Sequence, residues 1–379
     1  MDGHIKINRK LLALLLLLFV GVVSALNLLA QDQEFSESEN RMLEQLPTFS
    51  LKTLMSGTFT SDFEKYVSDQ FIYRDIWIGV KTDTDRITGR KESNGIYLGK
   101  DGILIQNFIP PAEEDLQEKV DAIQAFDQAT PSLKKYVMLV PTAAALYKDK
   151  LPKYAMVGDE EAYLGKVQRL LPPSIHFIDV FPALYAEREQ PIFYKTDHHW
   201  TTEGAYVAYL ELCRQMGLTP QSKEDFTIQQ VTGEFYGSLY SKSGFRHLQP
   251  DSIDLYLPKD PENYTVTYVD EEESTDTLYA MEQLQKKDKY AVFLNGNHAL
   301  IHIKTAHPDG KKLLVVKDSY ANSFFPFLLK HFSEIDVVDL RYYDGELTTF
   351  VNEHDIDDML LLYNANTFFE DPSIKYLSE

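Results

Sequence analysis

A run of twenty uncharged, almost wholly apolar residues, Leu11 to Ala30, is the feature that most limits what this chain can become. At about 1.5 Å per helical residue it spans ~30 Å, the depth of a bilayer's hydrocarbon core. Lys6, Arg9 and Lys10 precede it, and Gln31, Asp32, Gln33 and Glu34 follow. Positive charge ahead of the span predicts a cytoplasmic N-terminus with the bulk of the chain extracellular. The rival reading is a signal peptide cut near Val23 and Ala25, which would release a secreted product. The run stays apolar past that point, which favours residues 1–30 as a single-pass cell-membrane anchor through residues 11–30.

Charge then narrows the partners. The chain carries −21 overall and residues 1–30 carry +2, leaving −23 on the exported part. Such a surface repels nucleic acid and anionic headgroups, so no nucleic-acid partner is expected. Cys213 is the single cysteine, so no intramolecular disulfide can form. An exported chain without one fits a bacterial surface that lacks an oxidising periplasm.

Along the chain, 31–95 reads as a helical adaptor, with Phe63, Tyr66, Val67, Phe71, Trp77, Ile78 and Val80 showing no strand alternation. Asn94-Gly95 and Asp101-Gly102 bracket 96–98, with 103–105 beyond, which reads as a strand, a tight turn and a second strand. From there strands and helices alternate. Helices are expected over 112–128, 202–216 and 320–331. Strands are expected over 136–140, 175–180, 290–294, 313–316, 336–340 and 359–363. This pattern predicts an α/β domain over 96–379 with a mainly parallel sheet covered on both faces. The polar, tyrosine-rich stretch at about 218–290 reads as an insertion of short strands and loops.

Three places carry possible chemistry. Lys317-Asp318-Ser319-Tyr320 follows a buried strand, where active sites of open α/β sheets gather. Ser319 is a candidate nucleophile there, and plain helix capping is the alternative. In Asp197-His198-His199-Trp200 a histidine base and an orienting carboxylate lie two residues apart. The same residue types suit a metal site or a structural hydrogen-bond knot. Asn297, Asn364 and Asn366 follow strands and are candidate oxyanion donors, with turn chemistry as the alternative. Arg341 follows another strand and suits a carboxylate or sugar acid, or a surface ion pair.

The string Thr196-Asp197-His198-His199-Trp200-Thr201 resembles the name-giving motif of the DHHW proteins, exported proteins of Gram-positive bacteria. These in turn resemble the SGNH-like alginate O-acetyltransferases. Supporting pieces are Glu39-Asn40-Arg41, Asp69-Gln70-Phe71 with Arg74, 97–102, Val140-Pro141-Thr142 and Lys317-Asp318-Ser319. The resemblance implies an SGNH-hydrolase-like three-layer fold with Ser319 as nucleophile, His199 as base and Asp197 as its orienter, His198 being the alternative base. It makes Asn366 the side-chain oxyanion donor. Lys317 and Arg341 stand where glycines stand in plain SGNH hydrolases, and the Asp–His spacing is one residue shorter. The function implied is O-acetyl transfer to a surface or secreted polysaccharide, without a metal or other cofactor. The acyl group would come across the membrane from a membrane-bound O-acyltransferase. An esterase with the same triad, a metal-dependent phosphoesterase and a non-catalytic polysaccharide-binding or assembly protein are the competing functions.

Overall fold

The computed structural model describes residues 2–36 and 41–378, so Glu39 and Asn40 lie outside the described residues. The described residues fall into two compact units. One comprises Met1–Arg90 with Gly244–Arg246; the other comprises Lys91–Ser243 with His247–Glu379.

The first unit contains the helix α1 (Asp2–Leu29), within which Lys10–Leu29 is long and apolar enough to cross a membrane. Three helices follow: α2 (Leu51–Met55), α3 (Thr58–Asp69) and α4 (Arg74–Ile87). Asp69 and Gln70 clasp the segment ahead of them. The Arg41 guanidinium donates twice to Asp69, at 2.8 and 2.6 Å, and the Glu44 N–H donates once, at 2.9 Å. Gln70 accepts from the Gln33 N–H and donates to the Gln33 and Glu44 carbonyls. The Arg41 guanidinium holds the Asp69 carboxyl below its usual range. Those motif residues fasten chain to chain in this unit.

The second unit is built on an eight-stranded sheet. Its strands are β1 (Lys134–Val140), β2 (Ile175–Phe177), β3 (Thr265–Tyr268), β4 (Glu273–Thr275), β5 (Leu300–Lys304), β6 (Lys311–Lys317), β7 (Phe332–Val338) and β8 (Asp358–Asn364). Their order across the sheet is β4-β3-β5-β7-β6-β8-β1-β2. From β7 to β2 every pairing is parallel; β4, β3 and β5 complete the sheet with antiparallel pairings. The central strands are apolar at every second residue on both faces, because helices cover both sides. Leu313, Val315, Leu360 and Leu362 pack into one core, and Leu314, Val316, Met359 and Leu361 into the other.

The helices begin and end where local chemistry tells them to. The Thr201 hydroxyl caps the helix Thr202–Met216 by accepting from the Gly204 N–H, and Gly217, at φ 71°, stops it. Glu113, Glu114 and Asp115 place negative charge at the start of the helix Glu113–Ala129.

Several expectations need correcting. Residues 290–294 are a short 3₁₀ turn, Lys289–Val292, and not a strand. The chain turns sharply there, with Leu294 and Asn295 both in the left-handed region. The expected helix at 320–331 is two short 3₁₀ turns, Ser319–Ser323 and Phe325–Phe327. Pro326 has no N–H to continue a helical ladder. The stretch 218–290 divides. Phe226–Phe235 and Asp251–Pro258 form a separate hairpin, but β3 and β4 belong to the main sheet.

Candidate active site

The carboxyl ends of β6, β8 and β1 lie side by side, and the chemistry-bearing residues collect there. Asp318 follows β6 and is fully buried. One of its carboxylate oxygens accepts from the Tyr320 N–H and the other from the Asn364 N–H, both at 2.9 Å. It thereby fixes the turn that exposes Ser319 and ties β6 to β8. Burial pushes the Asp318 carboxyl upward, against those two bonds.

The stretch 194–201 comes to the same place as a tight loop. Phe193 bridges Trp200. The Thr196 N–H and hydroxyl both donate to Asp251, at 2.8 and 2.6 Å, and the Lys195 N–H joins them at 2.8 Å. Trp200 is fully buried and its indole N–H donates to the Tyr320 carbonyl at 2.9 Å. The Tyr320 hydroxyl returns a bond to the His198 carbonyl. Trp200 and Tyr320 thus lock the Asp-His-His loop to the Ser319 turn, and Thr196 ties it to Asp251.

At the centre, His199 Nε2 lies 2.8 Å from Ser319 Oγ and His199 Nδ1 lies 2.5 Å from Asp197 Oδ1. Asp197 Oδ1 also accepts from the His199 N–H at 3.0 Å, and Oδ2 from the Ser238 N–H at 2.7 Å. Burial alone would raise the Asp197 carboxyl. The two neighbouring histidines and these hydrogen bonds more than offset it and hold the group well below the usual carboxylate range. Asp197 and His199 are buried and Ser319 is half-buried. A neutral imidazole with its Nδ1 proton on Asp197 presents Nε2 to the serine as an acceptor, the geometry of a general base beside a nucleophile.

The other candidates are placed differently. His198 turns away from Ser319, with Nδ1 2.6 Å from Ser238 Oγ. Asn364 is buried; its amide accepts from the Asn366 N–H and donates to the Val140 carbonyl, so it serves as a cap. Asn297 Oδ1 accepts from Lys317 Nζ and Asn322 Nδ2. Arg341 makes a two-pronged ion pair with Asp339, at 2.8 and 2.6 Å. Asn366 is buried and its side-chain oxygen has no hydrogen-bond partner. Lys317 is buried at a glycine position of the related motif. Its amine donates to Asn297 and Asn322 at 2.8 Å and lies 3.6 Å from Asp339. Burial pushes it down to about 8. The five-residue turn at Ser319 is too short to supply the helix-terminus field that a true helix there would give.

Asp197, His198 and His199 each offer a ligand atom within 4.8 Å of the others. Both ring nitrogens of His199 and both Asp197 oxygens already have partners, so a metal would have to displace the contact between His199 and Asp197 or that with Ser319.

Three contributors were not visible in the sequence. Tyr290 stacks on His199, the Gly237-Ser238 backbone holds Asp197, and Asp251 anchors Thr196. All three come from 218–290, where no periodicity marks them. Glycine at 237 is the one local signal.

Beside this site, Glu160 is buried and accepts from the Thr142 N–H and hydroxyl at 2.7 and 2.6 Å, at the end of β1. Burial raises its carboxyl to about 7 in spite of those bonds. A carboxyl raised on folding favours the folded state fully only below its unfolded pKa, and that contribution is lost as pH rises from about 4.5 to about 7. The loss amounts to about 3 kcal/mol. Glu160→Gln removes it. Denaturant unfolding should show the variant gaining on wild type between pH 4.5 and 7, and equal slopes for the two proteins would refute this.

A family profile described as DHHW protein matches residues 126–338, more than half of the chain. A DHHW family protein from Eubacterium siraeum has a similar structure, with TM-score 0.67 and 24% identity, over 75% of this chain and 95% of that one. Bacillus cereus PatB1, solved with a sulfonyl adduct, matches with TM-score 0.64 and 19% identity, over 73% of this chain and 97% of its own. A probable alginate O-acetylase, AlgJ of Pseudomonas fluorescens, is 22% identical over 241 residues, 60% of each chain. This chain thus spans about 60% of the length of that relative.

Proposed function

The chain belongs to the DHHW family, and from that premise we propose that it is a serine-type O-acyltransferase, in the first place an O-acetyltransferase, that modifies a polysaccharide outside the membrane. The observation that carries this reading is the unbroken line Ser319 Oγ, His199, Asp197 at 2.8 and 2.5 Å. Its likeness to a probable alginate O-acetylase supports the acyl group and the acceptor class. The fold is read as SGNH-like, with residues 31–95 as an adaptor between the sheet domain and an anchor or signal at Lys10–Leu29.

In this mechanism His199 Nε2 takes the Ser319 proton as Oγ attacks the acyl carbonyl carbon. The Ser319 N–H and the Asn366 side chain bind the resulting oxyanion. The bond to the donor's oxygen breaks, that oxygen takes the proton from His199, and the acyl group stays on Ser319. A sugar hydroxyl then gives its proton to His199 and attacks the acyl carbonyl carbon; the bond to Ser319 Oγ breaks, and His199 returns the proton to Oγ, which restores Ser319. Asp197 keeps the imidazole in the required tautomer and stays ionised throughout. A membrane-bound O-acyltransferase is the proposed source of the acyl group. An esterase is the same site with water in place of the sugar.

The test is a pre-steady-state assay of the full chain with 4-nitrophenyl acetate, with and without an oligosaccharide acceptor. A nitrophenol burst matched by acetate on the Ser319 peptide, with product acetylated on the sugar, is expected. A burst with acetate released only to water would leave the esterase. Absence of both burst and serine labelling would refute the acyl-enzyme.

A further inference from the structure

Tyr290 is buried, and its ring lies flat against the His199 imidazole, with centroids 3.8 Å apart and planes 9° from parallel. Its hydroxyl donates to the Ser319 carbonyl at 3.1 Å and lies 3.2 Å from Ser323 Oγ. One side chain therefore touches the base through its face and the nucleophile's main chain through its tip.

Tyr290 is itself held rigidly. Tyr194 meets it edge-on at 6.3 Å, and Phe293 lies at 5.2 Å. The 3₁₀ turn Lys289–Val292 fixes its backbone. Burial pushes its hydroxyl upward, so it remains a donor. The remaining groups around the imidazole are Asp197, the His198 ring at 3.9 Å and tilted 37°, and the Tyr320 ring at 5.2 Å and tilted 46°. None of those rings is parallel to it. Of the rings around the imidazole, Tyr290 is the one that lies parallel to the plane in which Nδ1 meets Asp197 and Nε2 meets Ser319.

We propose that Tyr290 is a positioning residue. Its ring is the platform that holds the His199 imidazole in the plane joining Ser319 to Asp197, and its hydroxyl keeps the Ser319 main chain in register with that plane. The proposal rests on the acyl-enzyme reading of the same site. An imidazole free to rotate about its χ angles loses the line to Oγ without losing substrate contacts. Tyr290 therefore acts on kcat and not on KM, and misalignment on the scale of 1 Å costs ~100-fold.

The test compares Tyr290→Phe with Tyr290→Met and Tyr290→Leu in the full chain in detergent, so that one folded non-aromatic variant suffices. Tyr290→Phe keeps the platform and loses only the hydroxyl, so kcat for 4-nitrophenyl acetate should fall by less than ~10-fold. The non-aromatic variants should fall ~100-fold at unchanged KM. The second readout is the low-field proton resonance of His199 Nδ1–H, bonded to Asp197 and assigned through its loss in His199→Ala. It should persist in Tyr290→Phe and broaden or vanish without the ring. A folded non-aromatic variant with wild-type kcat and a sharp resonance would overturn the proposal. The resonance needs no turnover. If wild type fails to acylate, the transferase reading falls while the Tyr290 proposal is still decided by this signal.

Discussion

Ser319→Ala is expected to lower kcat/KM for 4-nitrophenyl acetate by at least ~10³-fold, with little change in melting temperature. The substitution removes one oxygen whose hydrogen bond goes to His199, and leaves the Asp318 bonds that shape the turn untouched. His199→Ala should cost as much activity, but it differs in stability. It strips a buried Asp197 carboxylate of its imidazole partner and leaves it two main-chain donors, the N–H of residue 199 and that of Ser238. Losing a buried hydrogen bond to a charged acceptor costs about 1.5–3 kcal/mol. The double variant should be no slower than either single one, because a nucleophile without its base and a base without its nucleophile fail at the same step. Kinetics paired with calorimetry on the three proteins checks this. Additive losses in the double variant, or full activity in Ser319→Ala, would remove Ser319 from the chemistry.

Much of this arrangement was legible in the sequence, for identifiable reasons. The strands β1, β6 and β8 announce themselves as short apolar runs, because strands covered on both faces need no polar residues. Thr201 and Gly217 mark the ends of their helix by capping chemistry that acts over three or four residues. Asp197 and His199 are two apart, so the tie between them is local as well. What failed depends on tertiary context. The apolar residues at 290–294 fit a strand by composition, but in the fold they lie in a 3₁₀ turn that packs Tyr290 against His199. The aromatic run after Ser319 looks like a core helix, yet Pro326 interrupts any ladder and only two short 3₁₀ turns form. Asn297, Asn364 and Arg341 illustrate the general difficulty. Their residue types suit a substrate site, but polar side chains at strand ends must first satisfy buried neighbours, and these three are engaged with Lys317, Val140 and Asp339.

Gly237 gives the second large effect, and it comes from the least readable part of the chain. The Gly237 N–H donates to the Thr196 hydroxyl at 3.1 Å, and the next N–H, on Ser238, donates to Asp197 at 2.7 Å. Both bonds require the backbone at 237 to lie directly against Asp197. A Cβ there would sit 2.2 Å from Asp197 Cβ and 2.3 Å from Oδ2. Asp197 Cβ is fixed to a loop that Asp251 and Trp200 anchor, so the neighbour cannot swing aside as the tip of a flexible chain would. Gly237→Ala must therefore displace the carboxylate that orients His199. We expect kcat to fall ~100-fold for a displacement of about 1 Å, with a stability loss of about 1–3 kcal/mol from overpacking. Gly233→Ala is the control. It lies in the same polar stretch, and its Cβ would meet the flexible tip of Gln230 at 3.2 Å and Ser252 Oγ at an ordinary 3.9 Å, so wild-type kinetics are expected. Steady-state rates and melting curves of the two variants decide the matter. Equal activity in Gly237→Ala and wild type would mean that Asp197 does not need its observed position, and the orienting role assigned to it would fail with that result.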